Sequence, residues 1–135
     1  MSSTEIWTLK KAKIIDPLIE TTVASLAELD VIRFVRITET SIQASSHLHD
    51  DKRKVPITKP FHPTAVGIYL VYDFDLKGME FHEITSAIQG WGGRMVRASL
   101  KHLPPEWDAV LVFDWSNGFW DEMAKRFPNV KWMRI

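Results

Sequence analysis

Residues 61–75 read Phe-His-Pro-Thr-Ala-Val-Gly-Ile-Tyr-Leu-Val-Tyr-Asp-Phe-Asp, a strand-like run opened by a histidine and closed by two aspartates. An imidazole and a carboxylate held close by a sheet are the beginnings of a zinc site. Without thiolates such a site takes two or three imidazoles and a carboxylate, and leaves one position for water. His62 and Asp73 are the first candidate ligands, provided the chain turns at Pro63 and Gly67. Asp75, two residues on, would share a strand face with Asp73. The same residues have a plainer use, with His62 in a loop and both aspartates accepting hydrogen bonds from a turn. A second cluster, His47-Leu48-His49-Asp50-Asp51, is either a solvated loop or a further set of metal donors. The chain has no cysteine, so disulfides and thiolate metal sites are excluded. His82-Glu83 has no second histidine four residues on, and the helical zinc motif therefore fails. Neither a Gly-x-Ser-x-Gly elbow nor a phosphate-cradling Gly-x-x-x-x-Gly-Lys loop is present.

The aromatic residues are the other chemical resource. Six Trp and seven Phe in 135 residues exceed what one small core requires. Trp115, Phe119 and Trp120 fall around an expected strand-to-helix turn, and Trp132 lies further on. Together they make a candidate contact surface, with a core role as the alternative for one or two of them. Trp91-Gly92-Gly93-Arg94 offers a flat ring and a cation, or simply a turn whose ring folds inward. Seventeen basic and seventeen acidic side chains cancel, which leaves no electrostatic footprint for nucleic acid. Lys52-Arg53-Lys54 follows two aspartates and reads as a solvated loop. No apolar run approaches the ~18 residues of a membrane span. The first residues lack a basic stretch followed by an apolar core, so no secretion signal is expected and synthesis is expected to be cytoplasmic.

These groups need elements to position them. Asp16-Pro17 is an N-cap followed by proline at the first helical position. Leu18, Ile19, Val23, Leu26 and Leu29 keep helical spacing to about Asp30. Val31–Thr38 reads as a strand, Ser41–Pro63 as a long loop, and Val66–Phe74 as a central buried strand. Lys77-Gly78 is a turn. Phe81, Ile84 and Ile88 fit a helix over 80–89, stopped by Gly90. Trp91–Gly93 then reads as a turn, 94–100 as a strand, 109–113 as a short buried strand, and 117–127 as a helix capped by Ser116 or Asn117. Val130–Ile135 closes the sheet. Helices and strands interspersed without regular βαβ units predict a single α+β domain over 1–135, with a small mixed or antiparallel sheet flanked by helices.

In this order of elements the chain resembles the D-alanyl-D-alanine carboxypeptidase and L-alanyl-D-glutamate endopeptidase zinc peptidases, in particular their short phage-type members. Arg36-Ile37-Thr38-Glu39-Thr40 resembles the family's first strand end. Phe61-His62-Pro63 with Gly67 through Asp73 resembles its metal motif, Ser-x-His-x-x-Gly-x-Ala-x-Asp. Asp108 through Asp114 resembles its last strand. The likeness spans roughly residues 17–120, and it implies a zinc-peptidase-like fold. The spacing departs from the family, since Gly67 and Asp73 lie five and eleven residues after His62. The family's general-base glutamate falls at Val112, and its His-x-His falls at Trp115 and Asn117. A hydrolytic zinc site needs both the Lewis acid and a base within reach. The expectation is therefore a shared fold without the catalysis.

Three functions follow as expectations. The first is a non-catalytic structural or interaction module, a component of a phage particle, with no cofactor and with protein partners or self-assembly through Trp115, Phe119, Trp120 and Trp132. The second is a divergent zinc peptidase of peptidoglycan, with His62 and Asp73 as ligands. A third ligand would come from His47, His49 or Asp114, and Asp75 or Glu106 would act as base. The third is a small cytoplasmic binding or inhibitor protein.

Overall fold

A computed structural model describes residues 4–9, 12–49, 52–114, 116 and 118–135. Among these residues the chain forms β1 (Glu5–Thr8), α1 (Pro17–Ala27), β2 (Phe34–Ile37), β3 (Ser41–Ser45), β4 (Val66–Asp73), β5 (Gly78–Ser86), α2 (Trp91–Leu100), β6 (Asp108–Leu111), α3 (Phe119–Arg126) and β7 (Lys131–Arg134). The strands make one seven-stranded mixed sheet in which spatial order equals chain order. β2 to β5 are an antiparallel meander. β1–β2, β5–β6 and β6–β7 are parallel pairs, and each is joined through a helix. Three βαβ units are thus present where none is expected: β1 carries no clear local signal, β5 and α2 exchange the helix and strand that their spacing suggests, and in β6–α3–β7 the elements agree with the sequence and only the parallel pairing is new.

Helix α1 forms as its sequence dictates. Asp16 accepts a hydrogen bond from the Leu18 amide at 2.8 Å, Pro17 opens the first turn, and Ile19, Val23 and Leu26 are buried. The residues around β5 and α2 do not follow the local reading. Residues 80–86 are strand, not helix. A bulge between the Tyr69↔Glu83 and Leu70↔Phe81 pairs inserts His82, so two core-facing residues, Phe81 and Ile84, stand three apart and imitate a helical repeat. Residues 94–100 are helix, not strand. Two glycines in its first turn cost roughly 1 kcal/mol each against alanine, but they are the contact surface for α3. A Cβ on Gly92 would stand 3.0 Å from the Phe119 ring, and one on Gly93 would meet the Arg126 guanidinium. The expected long loop after Ser41 begins instead with β3, where Ile42 and Ala44 alternate inward against Leu70 and Ile68.

The register defines two faces. Val35, Ile42, Ile68, Leu70, Met79, Phe81 and Ala109 point to the face covered by the helices and are buried with Ile19, Leu26, Met95, Val96 and Trp120. The other face carries half-buried Phe34, Arg36, Gln43, Tyr69 and Glu80. Part of it is crossed by the segment between β3 and β4. His47, His49, Val55 and Ile57 form a small backbone-paired hairpin there, and Lys54 reaches Glu5 of β1 at 3.0 Å.

At one end of the sheet Tyr72, Phe74 and Trp107 form an aromatic cluster with ring centroids 5.4–6.2 Å apart. The buried Tyr72 hydroxyl has no hydrogen-bond partner among the described residues, and burial pushes the phenol well above its usual range. The Thr22 hydroxyl nearby gives its own proton to the Leu18 carbonyl and offsets part of that rise, but it stands outside hydrogen-bond geometry with the phenol. Tyr72→Phe removes an unpaired polar atom at no packing cost and is expected to leave stability unchanged or raise it by up to about 1 kcal/mol. Urea unfolding is the measurement, and a loss of more than about 1 kcal/mol would show that the hydroxyl is bonded in solution.

Candidate functional site

β5 runs nine residues and β6 only four. β6 pairs Gly78–Phe81, and the chain then bends at Val112 and leaves for α3. Beyond Phe81 no strand pairs with this edge of β5 among the described residues, and the gap beside it is a cleft of about 190 Å³. It lies past the carboxyl ends of two parallel strands and before the amino ends of α2 and α3, where open α/β sheets commonly place ligands.

Its floor is aromatic. Phe81, Phe119 and Trp120 line it, with Trp120 at 4.9 Å from Phe81 and 5.0 Å from Phe119 between ring centroids. Trp120 is only 3% exposed. Trp132 stands behind it at 6.2 Å, half-buried, its indole N–H on the Phe127 carbonyl at 3.0 Å. Of the aromatic contact residues read from the sequence, Phe119 and Trp120 therefore line the cleft and Trp132 backs it. Trp115 lies outside the described residues.

α3 brings Phe119 and Trp120 there through Gly118, whose φ of +94° suits glycine at the N-cap. Asp121 and Glu122 in the first turn and Lys125 and Arg126 in the last complement the helix dipole. The loop before α3 is tied down by Asp114, which accepts from the Ser116 hydroxyl at 2.6 Å, the Ser116 amide at 3.0 Å and Arg134 at 3.0 Å. The Ser116 hydroxyl, with help from Arg134, holds the Asp114 carboxyl below the usual range.

The opposite wall is the end of the loop before β4. It is fastened to β5 by Thr58 donating to Glu83 at 2.8 Å and by the His62 amide donating to the Thr85 hydroxyl at 3.1 Å. Phe61 sits on the rim with φ +64° and its ring 77% exposed. A bulky residue in the left-handed region is strained by about 1–3 kcal/mol and persists only where its surroundings hold it. Phe113, 54% exposed, faces the cleft from the other side.

The ligand set drawn from the sequence does not assemble. His62 is fixed beside Thr85, which pairs with Gly67, whereas Asp73 pairs with Gly78. Six strand residues at about 3.3 Å each put roughly 20 Å between them. The expectation failed because the His-to-Asp stretch runs straight as β4 instead of turning back. Asp73 accepts from the Asp75 and Leu76 amides at 3.1 and 3.0 Å, which is the turn-closing use. Asp75 and Glu106 lie at that far end as well, Glu106 beside Trp107. His62 Nδ1 accepts from the Thr64 and Ala65 amides at 3.2 and 3.0 Å. In a neutral ring the proton then sits on Nε2, and no lone pair is left for a metal. His47 and His49 project from the exposed hairpin, and Asp50 and Asp51 lie outside the described residues. Among the described residues no three His, Asp or Glu side chains are grouped to hold a metal ion.

Nothing in the local sequence marks Phe113, Glu83 or the edge of β5 beyond Phe81 as part of a site. Phe61 was visible as an aromatic beside His62-Pro63, but nothing local marks its exposure. Among the described residues no helix is long and apolar enough to cross a membrane. The chain matches no family model, no curated protein and no solved structure.

Proposed function

We propose that the protein is a non-catalytic interaction module that docks a protein partner in the cleft beside β5. The observation that carries this reading is the lining. Among the described residues five aromatic side chains, Phe61, Phe81, Phe113, Phe119 and Trp120, line the space, and the titratable groups lining it already have partners. His62 is bonded to the backbone, Glu83 to Thr58, and His82 to Glu80 at 2.8 Å. Acid–base or metal-assisted hydrolysis needs such groups aimed at a substrate, whereas rigid apolar rings in a cleft suit recognition. Membership of a larger assembly such as a phage particle, and kinship with the zinc peptidases, belong to the same proposal and rest on the motifs between residues 17 and 120.

The test is selection of short linear peptides from a displayed library against the purified protein, with Phe119→Ala as the counter-target. Peptides that bind the native chain and lose about tenfold or more on Phe119→Ala support docking, since removing a ring at an interface typically costs over 1 kcal/mol. Stoichiometric zinc, with peptidoglycan hydrolysis abolished by His62→Ala, would replace this reading by the peptidase.

A further inference from the structure

The backbone of β5 specifies what the cleft can hold. Within β4, Val66 accepts from Ser46 and Tyr72 donates to Thr40, so its even-numbered residues turn their backbone groups toward β3. Its odd-numbered residues face β5. Ala65 accordingly accepts from the Ala87 amide at 3.1 Å, and the register matches Gly67 with Thr85 and Tyr69 with Glu83. In an antiparallel pair the intervening residues point the other way. Ile84 and Ser86 therefore direct their N–H and C=O groups away from β4, on the side where β6 takes Met79 and Phe81. β6 ends at Leu111, and among the described residues no backbone partner takes up Ile84 or Ser86. A sheet edge with open donors and acceptors is a template for another strand.

We infer that the cleft takes an extended segment of a partner protein, added as a strand to β5 beyond the end of β6. This rests on the docking reading above and names its mode. Side chains of the added strand opposite Ile84 and Ser86 share the helix-covered face and enter the aromatic floor at Phe113 and Phe119. The residue between them, opposite Thr85, points to the other face beside Glu83. Glu83, whose Oε1 accepts from Thr58 and whose second oxygen remains to face a cation, is the one acid lining the cleft among the described residues, where no Lys or Arg lines it. The matching partner segment is apolar–basic–apolar. Backbone bonds supply affinity and the alternate pockets supply selectivity, as in other strand-addition complexes. A second copy of this chain fits poorly. Its outer strands β1 and β7 are each held on one side by a neighbouring strand, β2 or β6, and a slot of about 190 Å³ lined by both Phe61 and Phe119 is narrow for a strand that carries its own sheet.

The experiment uses the tightest peptide from the linear library and its singly N-methylated versions, together with amide hydrogen exchange of the full chain. The expected results are exchange at Ile84 and Ser86 slowed by about tenfold or more on binding, and about tenfold loss of affinity for N-methylation at alternate peptide positions only. The selected sequences share a basic residue between two apolar ones, and Glu83→Gln weakens them severalfold. If the peptide perturbs Phe113 and Phe119 and is lost with Phe119→Ala, yet leaves Ile84 and Ser86 exchange unchanged and tolerates N-methylation everywhere, strand addition is wrong while docking stands. If no peptide binds in the cleft, docking itself is wrong. Protection of Ile84 and Ser86 that grows with protein concentration in the absence of peptide would identify a second copy as the occupant and overturn the inference.

Discussion

Trp120→Ala is expected to lower the unfolding free energy by about 3–5 kcal/mol, the range for removing a large buried aromatic side chain. The indole is 3% exposed and touches Phe81 of the central sheet, Phe119 of its own helix and Trp132 of the edge strand. Deleting it opens a void where α3, β5 and β7 meet. α3 has only eight residues, and a helix that short has little intrinsic stability apart from its packing. A typical domain is stable by about 5–15 kcal/mol, so the loss is a large share of the whole. Urea unfolding gives the number, read from the midpoint with the slope checked for a change in the cooperative unit. Phe119→Ala is the control. Its ring is half-buried on the cleft side, so it should cost less stability and more peptide affinity. A Trp120→Ala loss below about 1 kcal/mol would mean that α3 is not packed as described.

Gly67→Ala should also destabilise the protein, although it adds a single methyl group. A Cβ there would overlap the Ile57 carbonyl oxygen and stand 3.0 Å from the Ala44 carbonyl and the Ser45 hydroxyl. Two of these neighbours are backbone, so no side-chain rotation relieves the clash. Overpacking of this kind costs about 1–3 kcal/mol. The segment between β3 and β4 would have to lift off the sheet, and the Thr58–Glu83 and His62–Thr85 bonds that seat the cleft wall would go with it. The expected result is a lower unfolding midpoint together with weakened peptide binding, because Phe61 belongs to the same wall. Native stability and native affinity in Gly67→Ala would contradict the seating of this segment.

The contrast between α1 and the β5–α2 region shows where local reading stops. α1 carries its own start signal, its own cap and one apolar stripe, and its sequence and structure agree. β4 likewise reads correctly, because a long run of β-branched and aromatic residues can satisfy itself only in the middle of a sheet. In β5 a single bulged histidine shifts the apolar spacing from two to three, and no local rule separates that from a helix. In α2 the two glycines look like a turn until Phe119 and Arg126 of a later helix are placed against them. The candidate site followed the same division. The importance of His62, Phe119 and Trp120 was visible as residue type, but their roles depended on which end of a strand they reached.

From its residues alone, this chain specified a cysteine-free, charge-balanced domain of mixed elements, the first helix with its cap, the buried central strand and an excess of aromatic rings near the last helix. Composition and short-range spacing are enough for these, because propensity, capping and burial act within a few residues. Tertiary structure alone decided that His62 and Asp73 stand at opposite ends of the sheet, that β6 stops short of β5, and that the rings from 61, 113 and 119 face one another across the gap. Those facts depend on register and crossover, which pair residues dozens of positions apart through backbone hydrogen bonds that carry no side-chain signature.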